Sequence, residues 1–407
     1  MSVEVPEGWH VQSINEFSEV VSGSTPDTFN PRYWDGNIVW ITPDDLSKNE
    51  QVYVHESTRR ISDLGLKNSS AQIIPRNSIV MSSRAPIGYL AIVTSDYTTN
   101  QGCKSLRLRN SVIPEFVYYA LLFNMDKIKQ KGEGTTFAEI SKKELERVSI
   151  FLPKSLPEQK KIASILQCVG NAIGKTKEVI EKHKKMKQGL MQNLFARGVD
   201  ESGSLREEGV WDKLRIRSVA FVADIDHKMP EDVDFGIPFI SSKDITEDGD
   251  IVLQGVKQIS EKDYRRLARK IEPKNGDIIY SRIGTIGRVA LVKRYVKFLM
   301  SYSCCVIRKK DKKIEPSYLA HVLRSQAIER QILKETQSIG VPDLGLDKIY
   351  DFEILLPRDR NEQQRIAGRL DALDLKIKAE QTYLSKLLKI KTGLMQDLLT
   401  GKVRVAA

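Results

Sequence analysis

Residues 150–199 read IFLPKSLPEQKKIASILQCVGNAIGKTKEVIEKHKKMKQGLMQNLFARGV, and residues 354–403 read ILLPRDRNEQQRIAGRLDALDLKIKAEQTYLSKLLKIKTGLMQDLLTGKV. The two stretches align without a gap at an offset of 204 residues, and 18 of the 50 paired positions are identical. The shared motifs are Leu-Pro at 152 and 356, Glu-Gln at 158 and 362, and Gly-Leu-Met-Gln at 189 and 393. Such a repeat is too long for a solenoid unit. It predicts a tandem duplication in which each half is a globular segment followed by this stretch.

Each copy of the repeat has the apolar spacing of a coiled-coil helix. Apolar residues follow a 4-3-4-3 register in both copies, which predicts a helical seam. Both copies interrupt the seam at matching places, Thr176 with Glu380 and Lys187 with Lys391, which indicates a fixed register. The register residues are Ile162, Leu166, Val169, Ile173, Ile180, Leu190 and Leu194 in the first copy, and Ile366, Leu370, Leu373, Ile377, Leu384, Leu387, Leu394 and Leu398 in the second.

The ends of these helices follow from local sequence. Pro157 suits the first helical position, and Asn361 suits an N-cap. With ends near Phe195 and Leu399, each helix has about 40 residues and a length of roughly 60 Å. If the helices pack on each other within one chain, they must be antiparallel. Pairing between two chains, pairing with a partner's helices, and two amphipathic helices that each pack on their own domain remain as alternatives.

The globular segments repeat more faintly. Residues 39–46 (VWITPDDL) match 238–245 (PFISSKDI), and 79–91 match 278–290. These short β-rich runs are separated by Pro, Gly, Asn and Asp, the pattern of strands and turns. Helical stretches follow at about 114–130 and 316–335. We predict the α+β class, with two mixed α/β globular domains, two long antiparallel coiled-coil helices and an internal pseudo-twofold duplication.

The predicted domains follow from the repeat and from the polar linker at 197–208, which contains Gly and Ser and no core residues. The first globular domain takes residues 1–153 and the first helical region 154–199. The second globular domain takes residues 200–357 and the second helical region 358–407.

Composition points to a polyanionic partner. The net charge is +11 over 407 residues, and the isoelectric point is about 9.2. Such a balance suits nucleic acid, although a basic protein need not bind it. Basic clusters lie at Arg59-Arg60, at 175–187 and at 262–270. We interpret 175–187 as a solvated helix face and 262–270 as the better phosphate-contact candidate.

The four cysteines, Cys103, Cys168, Cys304 and Cys305, have no CxxC spacing. This predicts a reduced, cytoplasmic protein. No apolar run approaches 18 residues and no signal peptide opens the chain, so neither a membrane location nor export is expected.

Motifs for catalysis are missing from the sequence. It has no P-loop, no GxGxxG opening a helix and no HExxH. The five histidines include no pair at metal-ligand spacing. Asn30-Pro31-Arg32-Tyr33 is similar to the Asn-Pro-Pro-Tyr motif of amino-methyltransferases but lacks the second proline and an upstream glycine loop. We therefore predict a non-enzyme with no cofactor or metal of its own.

The motifs together resemble a known family, the specificity (S) subunits of Type I restriction–modification enzymes. The resemblance rests on the Leu-Pro…Glu-Gln…Ile-Ala entry to each helix, on the closing GLMQDLLTGKVRV at 393–405, and on VPEGW at 5–9. It also rests on Gly134-Thr135-Thr136, where the second half instead has Ser338-Ile339-Gly340. This difference suggests that the two loops act differently.

The resemblance implies a function. Each globular half would be a target recognition domain that reads one block of a split, asymmetric double-stranded DNA sequence. The helices would space the two blocks and dock two methylation (M) subunits, which restriction (R) subunits would join. S-adenosylmethionine, ATP and Mg²⁺ would be used only by those partners.

Candidate DNA contacts are side chains with donors or acceptors on loops and strand ends. Arg84 and Arg282 occupy matching places, so contact with phosphate or a role in the fold is favoured over reading different bases. The candidates are Ser24, Thr25, Arg32, Thr42, Arg84 and Thr135 in the first half, and Ser241, Lys243, Arg265, Arg266, Arg282 and Thr285 in the second.

Candidate partner contacts lie at the ends of both helices, although the same residues would equally well close the seam or cap a domain. They are Leu190, Met191, Leu194, Leu394, Met395 and Leu398.

Two other functions remain as alternatives. A two-domain scaffold or adaptor would share the duplication without needing the basic charge. An autonomous methyltransferase or nuclease would need the cofactor and metal motifs that the sequence lacks.

Overall fold

The computed structural model describes residues 5–132, 138–207, 209, 211–294, 296–335 and 343–405. The chain forms two compact units. Unit 1 comprises Met1–Lys177 and Tyr383–Ala407, and unit 2 comprises Glu178–Thr382. Both boundaries between the units fall inside long helices, so each unit contains one globular part and segments of both helices.

The elements of the first half begin with a short strand and end with a long helix. The strands are β1 (Trp9–Ser13), β2 (Ser18–Ser22), β3 (Trp34–Ile41), β4 (Tyr53–Val54), β5 (Arg59–Ile61), β6 (Ile79–Ser82), β7 (Leu90–Val93), β8 (Tyr97–Thr99), β9 (Cys103–Leu108) and β10 (Ser149–Pro153). The helices are α1 (Ile14–Phe17), α2 (Pro43–Lys48), α3 (Asp63–Lys67), α4 (Pro114–Phe123), α5 (Met125–Gln130), α6 (Lys142–Glu146) and α7 (Leu156–Arg197), with a 3-10 turn at Pro31–Tyr33.

The second half repeats most of this order, without a counterpart of β4. Its strands are β11 (Trp211–Arg215), β12 (Ala220–Ala223), β13 (Ile237–Ile240), β14 (Gln258–Ile259), β15 (Ile278–Ser281), β16 (Val289–Leu291), β17 (Leu299–Met300), β18 (Cys304–Lys309) and β19 (Glu353–Pro357). Its helices are α8 (Ile216–Val219), α9 (Glu261–Leu267), α10 (Pro316–Leu323), α11 (Gln326–Glu335), α12 (Leu346–Tyr350) and α13 (Arg360–Leu398), with a 3-10 turn at Ser242–Asp244.

The sheets of the two units have matching topology, except that the edge strand β4 of unit 1 has no counterpart in the larger sheet of unit 2. In unit 1 the larger sheet has the order β2-β9-β6-β7-β4 and the smaller one β5-β3-β8. In unit 2 the orders are β12-β18-β15-β16 and β14-β13-β17. A separate antiparallel pair, β1 with β10 or β11 with β19, leads into each long helix. The predicted α+β class and the internal duplication are confirmed.

The central strand of each larger sheet is buried on both faces. Ile79 and Met81 of β6 join the core beneath α4 and the long helices, whereas Val80 joins the core under the smaller sheet. In β15, Tyr280 and Ile279 divide between the two cores in the same way. Side chains alternate between the faces of a strand, so a short apolar run with no polar alternation is the expected sequence of such a strand.

The long helices pair with opposite chain directions within each unit. In unit 1, Ile162 and Leu166 near the start of α7 share a core with Leu398 near the end of α13. In unit 2, Leu194 near the end of α7 shares a core with Ile366 and Leu370 near the start of α13. The antiparallel pairing that the connectivity predicts is therefore present in each unit.

Long helices also raise the question of membrane insertion. In the described part of the chain, no helix is both long and apolar enough to span a bilayer.

Candidate nucleic-acid interface and helix junctions

The repeated Glu-Gln motif fastens each long helix to its globular domain. Gln159 accepts a hydrogen bond from the backbone N–H of Ile113 at 2.8 Å and donates to the carbonyl of Pro153 at 2.9 Å. Gln363 makes the matching bonds, from the N–H of Glu315 at 2.9 Å and to the carbonyl of Pro357 at 2.8 Å. Ile113 and Glu315 are the N-caps of α4 and α10. The glutamine therefore bridges the start of the domain helix and the start of the long helix.

The glutamate of the motif is buried and paired with an arginine. In unit 1, the Arg404 guanidinium donates to Glu158, with Nε–Oε1 2.7 Å and Nη2–Oε2 2.9 Å. In unit 2, Arg206 Nη1 lies 3.1 Å from Glu362 Oε2. Each arginine follows the end of the other long helix. The hydrogen bond to Glu158 raises the pKa of Arg404.

A polar network joins the helices of unit 2. The His321 Nε2 lies 3.1 Å from Asp371 Oδ1, and the Ser317 hydroxyl donates to Asp371 at 2.7 Å. Asp374 is paired with Lys187 at 2.5 Å and with Arg324 at 3.6 Å. The seam interruption at Lys187 is therefore matched by a carboxylate on α13.

The same network contains a group with metal-ligand chemistry. Potential ligand atoms of His321, Asp371 and Asp374 lie within 4.8 Å of one another. Two cationic side chains already neutralise Asp374, which disfavours a further cation there. Burial lowers the pKa of His321. For Asp371, desolvation raises the pKa, but hydrogen bonds from His321 and Ser317 outweigh it and hold the pKa at about 2. We interpret this group as a structural junction.

The corresponding junction in unit 1 has different chemistry. The repeat alignment places Gly170 where unit 2 has Asp374, and Lys391 where it has Lys187. Burial lowers the pKa of Lys391, with a further contribution from Lys177. The matching seam interruptions at Lys187 and Lys391 are therefore not equivalent. Aligning the two copies of the repeat reveals the difference, because Gly170 stands where the second copy has Asp374.

The candidate DNA contacts of unit 1 lie mainly around the loop between β2 and β3. Thr25 donates to the Gln101 side chain, and the exposed Arg32 side chain has no partner among the described residues. Thr42 caps α2 and bonds Asp45 at 2.6 Å. Arg84 Nε lies 2.9 Å from Glu139 Oε2 with 51% of its side chain exposed.

That loop is fixed by two tryptophans. The Trp40 indole N–H donates to the carbonyl of Ser24 at 3.1 Å, and the Trp34 indole N–H donates to the carbonyl of Asp27 at 3.1 Å. The Arg59 guanidinium stacks over the Trp34 ring at 3.6 Å. Sequence reasoning missed these roles, because residue type does not indicate which carbonyl an indole N–H will meet or which ring a guanidinium will cover.

Some candidate DNA contacts of unit 2 are bonded within the domain, and others are exposed. Ser241 bonds Asp244 at 2.8 Å, as Thr42 bonds Asp45. Lys243 and Thr285 are exposed without a partner in the described part of the chain. Arg282 is 7% exposed and is ion-paired with Asp343 at 2.7 Å and Asp224 at 3.4 Å. DNA contact by Arg282 would require those pairs to open, so its position favours a role in the fold.

The basic cluster at 262–270 is partly neutralised. Arg265 pairs with Glu261 at 3.1 Å, and Arg266 pairs with Asp263 at 2.9 Å. Arg269 is exposed and has no partner among the residues described. The net positive charge of this cluster is therefore smaller than its sequence suggests.

The candidates in two loops lie outside the described residues. They are Thr135 with its neighbours Gly134 and Thr136, and the Ser338-Ile339-Gly340 stretch.

The candidate partner contacts divide by burial. Leu194 and Leu398 belong to the two cores. Leu190, Met191, Leu394 and Met395 are half-buried at the edges of those cores. Met191 also lines a groove of about 480 Å³ in unit 2, together with Phe195 and Leu355. Leu355 is 41% exposed, so this groove presents apolar surface to solvent.

Comparison with known proteins matches the duplicated architecture. The family described as the Type I restriction modification DNA specificity domain matches residues 6–182 and 211–389. The MjaIX specificity subunit of Methanocaldococcus jannaschii is 28% identical over 99% of this chain and 95% of that protein. The MjaVIII specificity subunit of the same organism is 24% identical over the same shares of the two chains.

Solved structures show the same fold. The S subunit of a Type I restriction–modification system from M. genitalium has a TM-score of 0.64 and 16% identity, over 98% of each chain. A chain of a type I R-M system studied for complex assembly and conformational transition has a TM-score of 0.56 and 16% identity, over 98% of this chain and 100% of that one. Since the family matches each half of the chain and most of its length, this protein belongs to the family of Type I restriction–modification specificity subunits.

Proposed function

We propose that this chain selects the DNA target of a Type I restriction–modification complex and has no catalytic site of its own. Each globular domain reads one block of a bipartite, asymmetric target, and the two long helices separate the blocks. Membership of the specificity-subunit family supports this assignment. The methylation and restriction subunits, and not this chain, use S-adenosylmethionine, ATP and Mg²⁺.

The proposal rests mainly on one comparison between the two domains: they share the same helix cap but carry different charges beside it. Thr42 with Asp45 and Ser241 with Asp244 form the same cap in the two domains. Between them, the first domain has Asp44, paired with Lys48 at 2.7 Å, and the second has the exposed, unpaired Lys243. Opposite charges on one frame favour different bases. Two such domains suit two unlike blocks.

Phosphate contacts would supply most of the affinity and base contacts the specificity. Arg32 and Arg269 are exposed cations without an ion-pair partner in the described residues, one in each unit. They are the better phosphate candidates, because Arg265 and Arg266 already pair with carboxylates. Lys243 is the better base-reading candidate.

Two methylation subunits would dock at the ends of the helices, and restriction subunits would join them. The half-buried Met191 and the exposed Leu355 of the unit 2 groove provide apolar contacts of the kind found at the centre of protein interfaces. Met395 is the corresponding residue in unit 1.

Methylome sequencing tests the proposal. A test cell would carry this chain together with the methyltransferase gene that neighbours it in its source genome. We expect N6-methyladenine confined to one split, asymmetric motif. Lys243→Ala should relax or abolish the recognition of one block. The control is Lys312→Ala, at an exposed lysine whose neighbour Lys313 accepts a hydrogen bond from Gln363 of α13. This control should leave the motif unchanged. No new methylation despite a soluble complex would favour the adaptor function.

A further inference from the structure

Two phenylalanines are almost completely exposed. The side chains of Phe29 and Phe235 are 94% and 95% exposed. The next most exposed phenylalanine in the described part of the chain is Phe221, at 45%. A single exposed apolar residue needs no explanation. These two need one because both lie in the same connection of the repeated fold, although at different positions within it.

That place is the connection from the larger sheet to the smaller sheet. Phe29 lies between β2 and β3, and Phe235 lies between β12 and β13. The two loops, SGSTPDTFNPRY at 22–33 and DIDHKMPEDVDFG at 224–236, share no sequence pattern. Each loop therefore presents one exposed ring, although the two loops differ in sequence and the rings do not align.

The loop of unit 1 holds its ring on a fixed backbone. Asp27 accepts a hydrogen bond from the Phe29 N–H at 2.9 Å, and its own carbonyl accepts the Trp34 indole at 3.1 Å. Trp40 anchors the start of the loop at Ser24. An anchored loop loses little conformational entropy when its ring enters a binding partner.

The loop of unit 2 is anchored differently. The N–H of Val233 donates to the carbonyl of Gln258 at 3.1 Å, and the N–H of Gln258 donates to Asp232 at 3.0 Å. Gly236 follows Phe235, and a Cβ there would lie 2.3 Å from the carbonyl oxygen of Ile259. The backbone is therefore pressed against β14 immediately after the exposed ring.

The surroundings of Phe29 favour DNA over another protein, whereas those of Phe235 restrict which part of the DNA its ring could contact. Phe29 is three residues from the unpaired, exposed Arg32, which suits a phosphate contact beside an apolar one. Phe235 lies among the exposed Asp232 and Asp234. Carboxylates repel phosphates but accept hydrogen bonds from cytosine amino groups, so that ring would meet base edges.

We propose that Phe29 and Phe235 are specificity-determining residues, each of which places its ring against a base step of its own half-site. Apolar side chains recognise the thymine methyl group in the major groove and wedge between base pairs in the minor groove. This inference rests on the proposed function, since it assigns one ring to each recognition domain.

The test uses the full chain assembled with its methylation subunit and a duplex containing the motif methylated by the wild-type complex. Phe29→Ala and Phe235→Ala should each weaken binding to that duplex about tenfold or more. Methylomes should show lost discrimination in one block for Phe29→Ala and in the other block for Phe235→Ala. The control Phe221→Ala removes the third most exposed phenylalanine and should change neither readout.

The outcomes separate the two claims. If the wild-type complex methylates a split motif and both alanine variants keep its affinity and its bases, the inference is wrong and the proposed function stands. Loss of assembly with the methylation subunit, with DNA recognition intact, would make the rings protein anchors and also overturn the inference. If the wild-type complex methylates no split motif, the proposed function itself fails.

Discussion

The guanidinium of Arg404 holds the buried carboxylate of Glu158 through two hydrogen bonds, at 2.7 and 2.9 Å. Arg206 and Glu362 form the corresponding pair in unit 2. In both units, a residue beyond the end of one long helix therefore holds the start of the other. The closing Gly-Lys-Val-Arg-Val motif and the Glu-Gln motif, which are far apart in sequence, are two parts of one contact.

Removing Arg404 should destabilise unit 1. Arg404→Ala leaves a buried carboxylate whose one remaining side-chain donor among the described residues is the Trp9 indole, at 3.4 Å. We expect a lower thermal unfolding midpoint, and a smaller loss for Arg404→Lys because the charge is kept. In a double-mutant cycle with Glu158→Gln, the two changes should be strongly non-additive. Additive effects would show that the pair contributes nothing.

The glutamines next to these glutamates should matter for stability as well. Gln159→Ala removes two hydrogen bonds at a buried site and leaves the N–H of Ile113 and the carbonyl of Pro153 without this partner. The expected loss is about 1–3 kcal/mol in the free energy of unfolding. Gln363→Ala should cost a similar amount. Lys160→Ala changes an exposed neighbour and should have little effect in the same denaturant titration.

The His321 network should make stability depend on pH. Burial lowers the pKa of His321 from 6.5, and Lys187 and Arg324 oppose its protonation. The unfolded chain therefore binds a proton more readily than the folded one, so stability should fall as the pH drops below about 6.5. Asp371 has a folded pKa of about 2 against 3.8 when unfolded. The stabilisation that it provides is therefore lost only as the pH falls from about 3.8 towards about 2.

Thermal unfolding between pH 7.5 and pH 5 checks this expectation. His321→Gln should flatten the pH dependence even if it lowers stability at neutral pH. His55→Gln, a change at an exposed histidine of unit 1, should preserve the wild-type slope. An unchanged slope in the His321 variant would refute the account of this network.

The groove beside Met191 should matter for assembly. Leu355→Glu places a charge on the exposed apolar wall of the groove, and burying that charge against a partner is unfavourable. We expect co-purification with the methylation subunit to fall at least tenfold while the fold is retained. The matched control is Leu375→Glu, at an exposed position of α13. Equal binding by both variants would remove this groove from the proposed interface.

The sequence was sufficient to predict the duplication, the helices and the class of fold, for identifiable reasons. The register of Ile162, Leu166 and Ile173 is local and repeats in the second copy, and all three residues are buried. The apolar runs that became β6 and β15 are also local signals. Patterns of this kind need no knowledge of distant contacts.

The candidate site was less predictable, because its side chains depend on distant partners. Arg84 and Arg282 occupy the same Ser-Arg motif, yet they differ in exposure because Arg282 also meets Asp224, which lies 58 residues away in sequence. The partner of Gln159 lies 46 residues earlier. Residue type alone could not distinguish the buried Arg282 from the exposed Arg32, nor mark Phe29 as exposed.

Exchanging one globular half tests most directly whether each domain reads its own block of the target. Residues 211–357 would be replaced by the corresponding residues of the MjaIX specificity subunit, and the methylome of cells that carry the neighbouring methyltransferase would be sequenced. We predict that one block of the methylated motif changes, while the other block and the spacing stay the same. If both blocks change together, or if the motif is unaltered, the assignment of one block to each domain is contradicted.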